Sequence, residues 1–356
     1  MKLSLAMIVK NEARCLARCL ASVRGVADEL ILTDTGSTDD TVQIAREAGA
    51  KISHFAWIGD FAAARNFALA QATGDWILVL DADETVSEPL ARELREFITG
   101  PPQIGRLKIV SDFRHHGQTQ RSSTFVSRLF PRGATFAGRI HEQIVSDLPR
   151  VNLCGEVLHD GYLETQKSDR NVKLLSAEIA RDPANAYLHF QLALEFTSLG
   201  RPADAFAALQ TALAHMQTSD PFAPNVIVDF LYAAMELKEY AAGLDVIRAT
   251  ETWLADFPDF HHVCGLFYMR YIGSDPAKNI GDLPKIENSF RRSLALGETD
   301  KYKSVHGSGS FLASYNLGVF YHAFGDDAGA QRCLAAAARQ NYAPATALLQ
   351  KIGLPA

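Results

Sequence analysis

The chain has 356 residues, of which 47% are hydrophobic and 21% charged, as expected of a folded protein with two domains. Its formal net charge of −6 provides no general basic field, so we expect no nucleic-acid partner. The five cysteines show no paired short spacings, which argues against a disulfide framework and for a reducing compartment. Because no run approaches the roughly 18–20 apolar residues of a spanning helix, we expect a cytoplasmic protein, at most peripheral at the inner membrane.

Strand and helix patterns alternate through the first 100 residues. Apolar runs predict four buried strands, Leu3–Val9, Glu29–Thr33, Lys51–Phe55 and Trp76–Leu80. Three helices are predicted between them: one with Leu16 to Val23 on its buried face, one opened by a capping box of Ser37 and Asp40, and one over Phe61–Ala72. Repeated β-α-β units imply a parallel sheet with helices on both faces.

The sequence changes character after Gly105. Strand-like pieces between polar loops predict an antiparallel extension of the sheet, formed by Leu107–Val110, Phe125–Phe130 and Val151–Leu158. Beyond about Lys167, strand patterns give way to alanine-rich helical patterns. We therefore predict an α/β domain over residues 1–165 and an all-α domain over residues 166–356.

The helical half repeats a spacing of small and large residues that is typical of tetratricopeptide repeats. One copy surrounds Gly200, another surrounds Gly325, and a looser copy lies between them. The clearest positions are Leu192, Ala193, Phe196, Ala205, Leu209 and Ala212, and then Leu317, Gly318, Tyr321, Ala330, Leu334 and Ala337. The alternative is an ordinary helical bundle with coincidental spacing. Repeat arrays present concave binding surfaces, so we expect a protein partner or a second copy to bind here.

Acidic residues follow two of the predicted strands. Asp81 and Asp83 come directly after the run that ends at Leu80, and Asp34 ends the second strand. In open α/β sheets, ligands bind at the carboxyl ends of the strands. Two carboxylates placed there suit a hard divalent cation that holds a diphosphate. The simpler alternative is that the pair only caps the next helix.

Four motifs occur in order along the first half: Met7-Ile8-Val9-Lys10-Asn11-Glu12, Leu32-Thr33-Asp34-Thr35-Gly36-Ser37-Thr38-Asp39, Ala64-Arg65-Asn66, and Gly74-Asp75-Trp76 through Asp81-Ala82-Asp83-Glu84. Together they resemble the family 2 glycosyltransferases, inverting enzymes of the A-type (GT-A) fold with nucleotide-sugar donors. The resemblance covers about residues 3–162. The fusion to helical repeats is similar to a bacterial subgroup acting on lipopolysaccharide core sugars or on peptides. The resemblance implies a metal-dependent transfer from a nucleotide sugar to a glycan, lipid-linked or peptide acceptor. UDP-glucose is the first expectation for the nucleotide sugar.

The resemblance also implies roles for single residues. Asp83 would ligate Mn²⁺ or Mg²⁺, and Asp81 would bind ribose directly or the ion through water. Asp34 would hydrogen-bond the base or ribose of the donor, while Val9 and Glu12 would line the same nucleotide pocket. A cation bridging the two phosphates would stabilise the charge of the departing diphosphate.

Five other residues have two interpretations each. Arg65 carries a guanidinium fork that could meet phosphate or uracil oxygens, or it could be a solvated arginine on a helix face. Asp39 could contact the nucleotide or only favour the dipole in a helix's first turn. His159 matches the late histidine that A-type enzymes often use as a metal ligand, but it could instead hydrogen-bond across the domain junction. Arg128, together with Arg132, could assist the diphosphate or solvate a strand edge.

The segment Gly138–Gln143 contains the candidate general base. An inverting transfer needs a group that takes the acceptor's proton during attack on the anomeric carbon. The family usually supplies a carboxylate from this region, which makes Glu142 the first choice. His141 competes because its unperturbed pKa lies near neutrality, and a solvent-exposed polar pair is the simpler alternative. The Glu-Asp and Gln-X-X-Arg-Trp sequences of many family members are absent here, which weakens the assignment and argues against a processive synthase.

Two other function classes are weighed against this one. A sugar-nucleotide nucleotidyltransferase would carry a glycine-rich phosphate loop after the first strand, but Lys10-Asn11-Glu12 contains no glycine. A non-catalytic repeat scaffold with a decayed transferase domain would lose its metal ligands first. Asp34, Asp81 and Asp83 are all present.

Overall fold

The computed structural model describes residues 1–115, 118–159 and 168–354. It divides the chain into two compact units, Met1–Lys167 and Ser168–Ala356. The domain boundary predicted between residues 165 and 166 lies outside the described residues.

The first unit is built on a mixed sheet. Its strands are β1 Leu3–Val9, β2 Glu29–Asp34, β3 Lys51–His54, β4 Trp76–Val79, β5 Glu84–Val86, β6 Ile104–His115, β7 Gln118–Pro131, β8 Thr135–Ala137, β9 Gln143–Val145 and β10 Arg150–His159. Its helices are α1 Leu16–Ser22, α2 Thr41–Glu47, α3 Phe61–Leu69 and α4 Glu88–Phe97.

The main sheet follows the order β3-β2-β1-β4-β7-β6-β10-β5. Strands β1 to β4 are parallel, whereas β7 runs antiparallel to both β4 and β6. Helices α1, α2 and α4 pack with one face of the sheet, and α3 packs with the other. The alternation along β1 produces this, because Leu5 and Met7 enter the first core while Ala6 enters the second. The predicted α/β class is confirmed.

Three details of the sequence prediction are wrong. The capping box does not form, since α2 begins at Thr41 and the Ser37 hydroxyl accepts the Asn11 N–H instead. Asp39 therefore precedes the helix, where its carboxylate accepts the backbone N–H groups of Ala13 and Thr41. Helix α3 ends at Leu69 rather than at residue 72, and the short strand β5 was not anticipated. A three-residue strand next to charged residues has too few positions to show a periodicity.

The parallel strands place the predicted acidic residues along one edge. Val9, the last residue of β1, lies opposite Asp34 at the end of β2, and Ala6 lies opposite Val79 at the end of β4. Asp34 and the turn carrying Asp81 thus occupy the same edge of the sheet, with β1 between their strands.

The second unit is helical. Its helices are α5 Ser168–Ile179, α6 Ala186–Ser198, α7 Pro202–His215, α8 Ala223–Leu237, α9 Tyr240–Thr250, α10 Pro258–Ser274, α11 Pro276–Asn279, α12 Leu283–Leu296, α13 Phe311–Ala323, α14 Asp327–Ala338 and α15 Ala343–Ile352. Over the described ranges, none of the helices is long and apolar enough to cross a membrane.

Consecutive helices pack in pairs, notably α6 with α7 and α13 with α14. Gly200 and Gly325 occupy the turns within these two pairs with φ of 68° and 78°, values that favour glycine. A Cβ at Gly318 would lie 2.7 Å from Leu334 Cγ, so the close approach of α13 to α14 requires the small residue that the repeat pattern predicts. The tetratricopeptide-like organisation is confirmed.

Candidate active site

Five alternating charges form a continuous ion-pair chain at the carboxyl edge of the sheet, here called the charge cluster. Asp81 is its centre: Oδ1 accepts a hydrogen bond from Arg65 Nη2 at 2.9 Å, and Oδ2 accepts one from Arg128 Nη2 at 2.6 Å. Arg65 also donates through Nε to Glu142. Arg128 Nη2 also donates to Glu84 Oε1 at 2.7 Å. The order is therefore Glu142, Arg65, Asp81, Arg128, Glu84.

The cluster is buried at its ends and open at its centre. The side chains of Glu84 and Glu142 are 2% and 10% exposed, whereas that of Asp81 is 39% exposed. Burial acts to raise the pKa of Asp81, but the guanidinium groups of Arg128 and Arg65 outweigh it and hold that pKa well below its usual range. Asp81 is thus a fixed anion facing solvent between two cations.

Helix α3 delivers Arg65 to the cluster. The helix begins at Phe61, where the Asp60 carboxylate caps it by accepting the Ala63 N–H at 2.8 Å. Arg65 then lies on the buried face of α3, with its guanidinium carbon 5.5 Å from the centre of the Phe136 ring. The interpretation of Arg65 as a solvated surface residue is therefore wrong.

Glu142 reaches the cluster through a bend in the chain before β9. His141, directly before it, has a left-handed φ of 53°. The same loop is tied to the start of α3, because Phe61 N–H donates to the Arg139 carbonyl at 2.8 Å. Glu142 is therefore linked to the acidic strand end through Arg65. The view of His141 and Glu142 as an exposed polar pair does not hold for Glu142.

Asp83 pairs with His159. Asp83 is 6% exposed, and His159 Nε2 lies 3.5 Å from its Oδ1, while His159 Nδ1 lies 3.1 Å from Ser111 Oγ. Burial acts to lower the pKa of His159, but the Asp83 carboxylate outweighs it and raises that pKa above its usual value. The pairing arises because β5 and β10 place His159 opposite Glu84. The residues that follow His159, 160–167, lie outside the described residues.

The side chains around Asp83 provide only part of the coordination shell of a divalent cation. Among the described residues, no group of three or more His, Cys, Asp or Glu side chains lies close enough to hold a metal. Both Asp81 oxygens are bonded to arginine, which leaves Asp83 and His159 as one carboxylate and one imidazole. This pair fits Mn²⁺ or Mg²⁺ if phosphate and water oxygens complete the coordination shell, an arrangement usual for Mg²⁺ sites.

Asp34 lies one strand beyond β1 and is 5% exposed. Its carboxylate accepts the Ser37 N–H at 3.0 Å and the Gly36 N–H at 3.2 Å, and it lies 3.3 Å from His54 Nδ1. Burial acts to raise its pKa, but the hydrogen bonds from Ser37 and Gly36 outweigh it and lower the pKa. The His54 contact was not predicted. The parallel register of β2 and β3, which places Asp34 opposite His54, is the signal that could have revealed it.

Val9 ends β1, and Glu12 lies in the loop that follows this strand. The Val9 carbonyl accepts both the N–H and the hydroxyl of Thr35, at 2.9 and 3.1 Å, so it fixes the strand edge. Glu12 Oε2 lies 3.3 Å from Cys15 Sγ. Burial, Glu12 and then Asp83 raise the pKa of the Cys15 thiol to about 12. Both carboxylates therefore act on the same buried thiol.

The parallel sheet with acidic strand ends and the antiparallel extension place the first unit in the GT-A class of nucleotide-sugar transferase folds. Residues 4–148 match the family described as glycosyl transferase family 2. The first unit thus contains a glycosyl transferase family 2 domain, and the predicted resemblance is confirmed.

Three relatives each match a part of this chain. A TPR repeat-containing protein of Synechococcus elongatus is 50% identical over 129 residues, which are 36% of this chain and 31% of that protein. An uncharacterized glycosyltransferase of Rickettsia felis is 44% identical over 93 residues, which are 26% of this chain and 32% of that protein. The SPbeta prophage-derived glycosyltransferase SunS of Bacillus subtilis is 28% identical over 222 residues. The match covers 58% of this chain and 52% of that protein. The chain therefore spans between about a third and a half of these relatives' lengths.

Proposed function

We propose that this protein is a metal-dependent inverting glycosyltransferase that moves a sugar from a UDP-sugar to an acceptor hydroxyl or other nucleophile. The observation that carries the proposal is the carboxyl edge of the sheet, where Asp83 pairs with His159 while Asp81 is held between Arg65 and Arg128. The domain match over residues 4–148 supports the reaction class.

The donor would bind along this edge. Asp34 at the end of β2, Val9 at the end of β1 and Glu12 just beyond β1 would line the pocket for the base and ribose. Asp83 and His159 would hold Mn²⁺ or Mg²⁺ at the diphosphate. When bound, the cation supplies Lewis-acid stabilisation of the leaving diphosphate.

Arg65 has unused hydrogen-bonding capacity for this diphosphate. Its Nη1 is buried and has no hydrogen-bond partner within the parts of the chain that the structure describes. A buried N–H group without a partner costs free energy, which a phosphate oxygen would recover as a charge-assisted hydrogen bond. Asp81 would then hold the guanidinium groups of Arg65 and Arg128 at the donor site. The exposed side of Asp81 would contact the ribose or the hydrated metal ion.

Glu142 would act as the general base, with His141 as the competing candidate. Its Oε1 accepts the Arg65 hydrogen bond, which orients the carboxylate. Oε2 is the oxygen that would take the acceptor's proton as the nucleophile attacks the anomeric carbon. Arg65 thus contacts both the candidate base and Asp81 at the centre of the charge cluster.

The second unit supports a proposal for the acceptor, which we define more broadly than the donor. Helical repeat arrays present extended binding surfaces, so this unit would bind a glycan, lipopolysaccharide-core, lipid-linked or peptide acceptor, a protein partner or a second copy. We place the reaction in the cytoplasm, with peripheral contact at the inner membrane for a lipid-linked acceptor.

A thermal-shift screen of nucleotide sugars with and without Mn²⁺ tests this function without knowledge of the acceptor. A ligand at 100 times its dissociation constant stabilises the native state by about 2.7 kcal/mol. We expect a UDP-sugar to raise the melting temperature in Mn²⁺, and excess EDTA to remove most of that increase. Stabilisation by UTP and a sugar phosphate, without any by UDP-sugars, would instead support a nucleotidyltransferase. No stabilisation by any nucleotide sugar would contradict the proposal.

A further inference from the structure

Arg128 enters the charge cluster from the sheet itself. It lies on β7 next to Leu129, which pairs with Leu78 of β4, the strand that leads into the acidic turn. Its side chain is 12% exposed, and its Nη2 bridges Asp81 Oδ2 and Glu84 Oε1 at 2.6 and 2.7 Å. One guanidinium nitrogen thus joins both ends of the turn from Asp81 to Glu84.

Glu84 is the second residue that holds the turn from Asp81 to Glu84 in place. It is 2% exposed, and its second oxygen accepts the backbone N–H of Asp81 at 2.9 Å. Asp81 is therefore fixed twice, through its main chain by Glu84 and through its side chain by Arg128. Removing one partner of a buried ion pair is strongly destabilising because the other charge is left uncompensated. Arg128 and Glu84 are therefore mutually dependent.

The same strand links this pair to the proposed cation site. Glu84 opens β5, which pairs with β10 so that Glu84 lies opposite His159. Asp83, the residue before Glu84, contacts that histidine. A change in the position of Glu84 would therefore displace both the Asp81 carboxylate and the Asp83–His159 pair.

We propose that Arg128 is a positioning residue that, together with Glu84, locks the turn from Asp81 to Asp83 in the conformation that receives the donor diphosphate. This inference rests on the proposed function of the site. The role differs from that of Arg65, whose other contacts lead to Glu142 and Phe136 on the side of the candidate base.

Calorimetric titration with UDP in the presence of Mn²⁺ tests the proposal. Glutamine in R128Q cannot bridge both carboxylates with a charged fork, so we expect UDP affinity to fall at least tenfold. The matched control is R121Q on the same strand, which breaks an exposed ion pair with Asp112 and should leave UDP affinity unchanged. With a sugar donor, R128Q should raise KM more than it lowers kcat.

The double variant R128Q/E84Q separates positioning from simple charge neutralisation. Removing both buried charges should restore the melting temperature that R128Q alone loses. We expect UDP affinity to stay reduced, because Asp81 is still released on its Oδ2 side. A double variant that regains wild-type UDP affinity would overturn the positioning role.

The outcomes also distinguish this inference from the proposed function. If the wild-type protein binds neither UDP nor a UDP-sugar in Mn²⁺, both are overturned. If the wild-type protein binds UDP and folded R128Q binds it equally well, only the role of Arg128 is overturned.

Discussion

Replacing Asp83 with alanine is expected to abolish metal-dependent transfer or hydrolysis of a UDP-sugar while the protein stays folded. Asp83 contacts His159, whereas Asp81 and Glu84 are both bonded to Arg128. Metal stabilisation of a leaving group is worth several kcal/mol, and each 1.36 kcal/mol is a factor of ten in rate. A loss of about 10³-fold in kcat/KM is therefore expected.

The matched control is Asp75→Ala, at the opposite end of the strand that leads to Asp83. Asp75 is exposed and accepts the Lys2 backbone N–H, away from the carboxyl edge. We expect this variant to keep its activity, and Asp83→Ala to retain the circular dichroism spectrum of the wild type. Full activity in folded Asp83→Ala would refute the role of Asp83.

Exchanging Glu142 for glutamine should lower kcat by about 10² to 10⁴, the usual contribution of a general base. The amide oxygen of glutamine can still accept the Arg65 hydrogen bond, so donor affinity should change far less than turnover. Steady-state kinetics together with UDP titration separates the two effects.

His141→Ala is the comparison that decides between neighbouring candidates. If this variant loses turnover while Glu142→Gln keeps it, the general base is His141. If neither variant lowers kcat, the segment Gly138–Gln143 does not supply the base.

Much of the fold was predictable because it depends on local patterns. The bounds predicted for β1 match those observed, and the parallel strands end at the expected acidic residues. Gly200 and Gly318 of the repeat pattern occupy a turn and a close helix contact, as their small size indicates. Such features follow from the periodicity of apolar residues and the conformational freedom of glycine.

The charge cluster was not predictable in the same way. Arg65 and Glu142 are 77 positions apart, and Arg128 is 47 positions from Asp81. Their contacts depend on how α3 and β7 pack beside β4, which no local pattern specifies. Sequence spacing also gave no indication that both oxygens of Asp81 are already bonded to arginine. This bonding of Asp81 supports our proposal that Asp83 is the direct metal ligand, on grounds independent of the family resemblance.

The most direct test of the account is a crystal structure with UDP and Mn²⁺, using the anomalous signal of manganese to locate the ion. We predict one manganese peak bonded to Asp83 and to the diphosphate, with His159 beside it and the uracil and ribose directed toward Asp34. UDP bound with its diphosphate away from Asp83, or manganese bound at a separate surface, would contradict the proposed site.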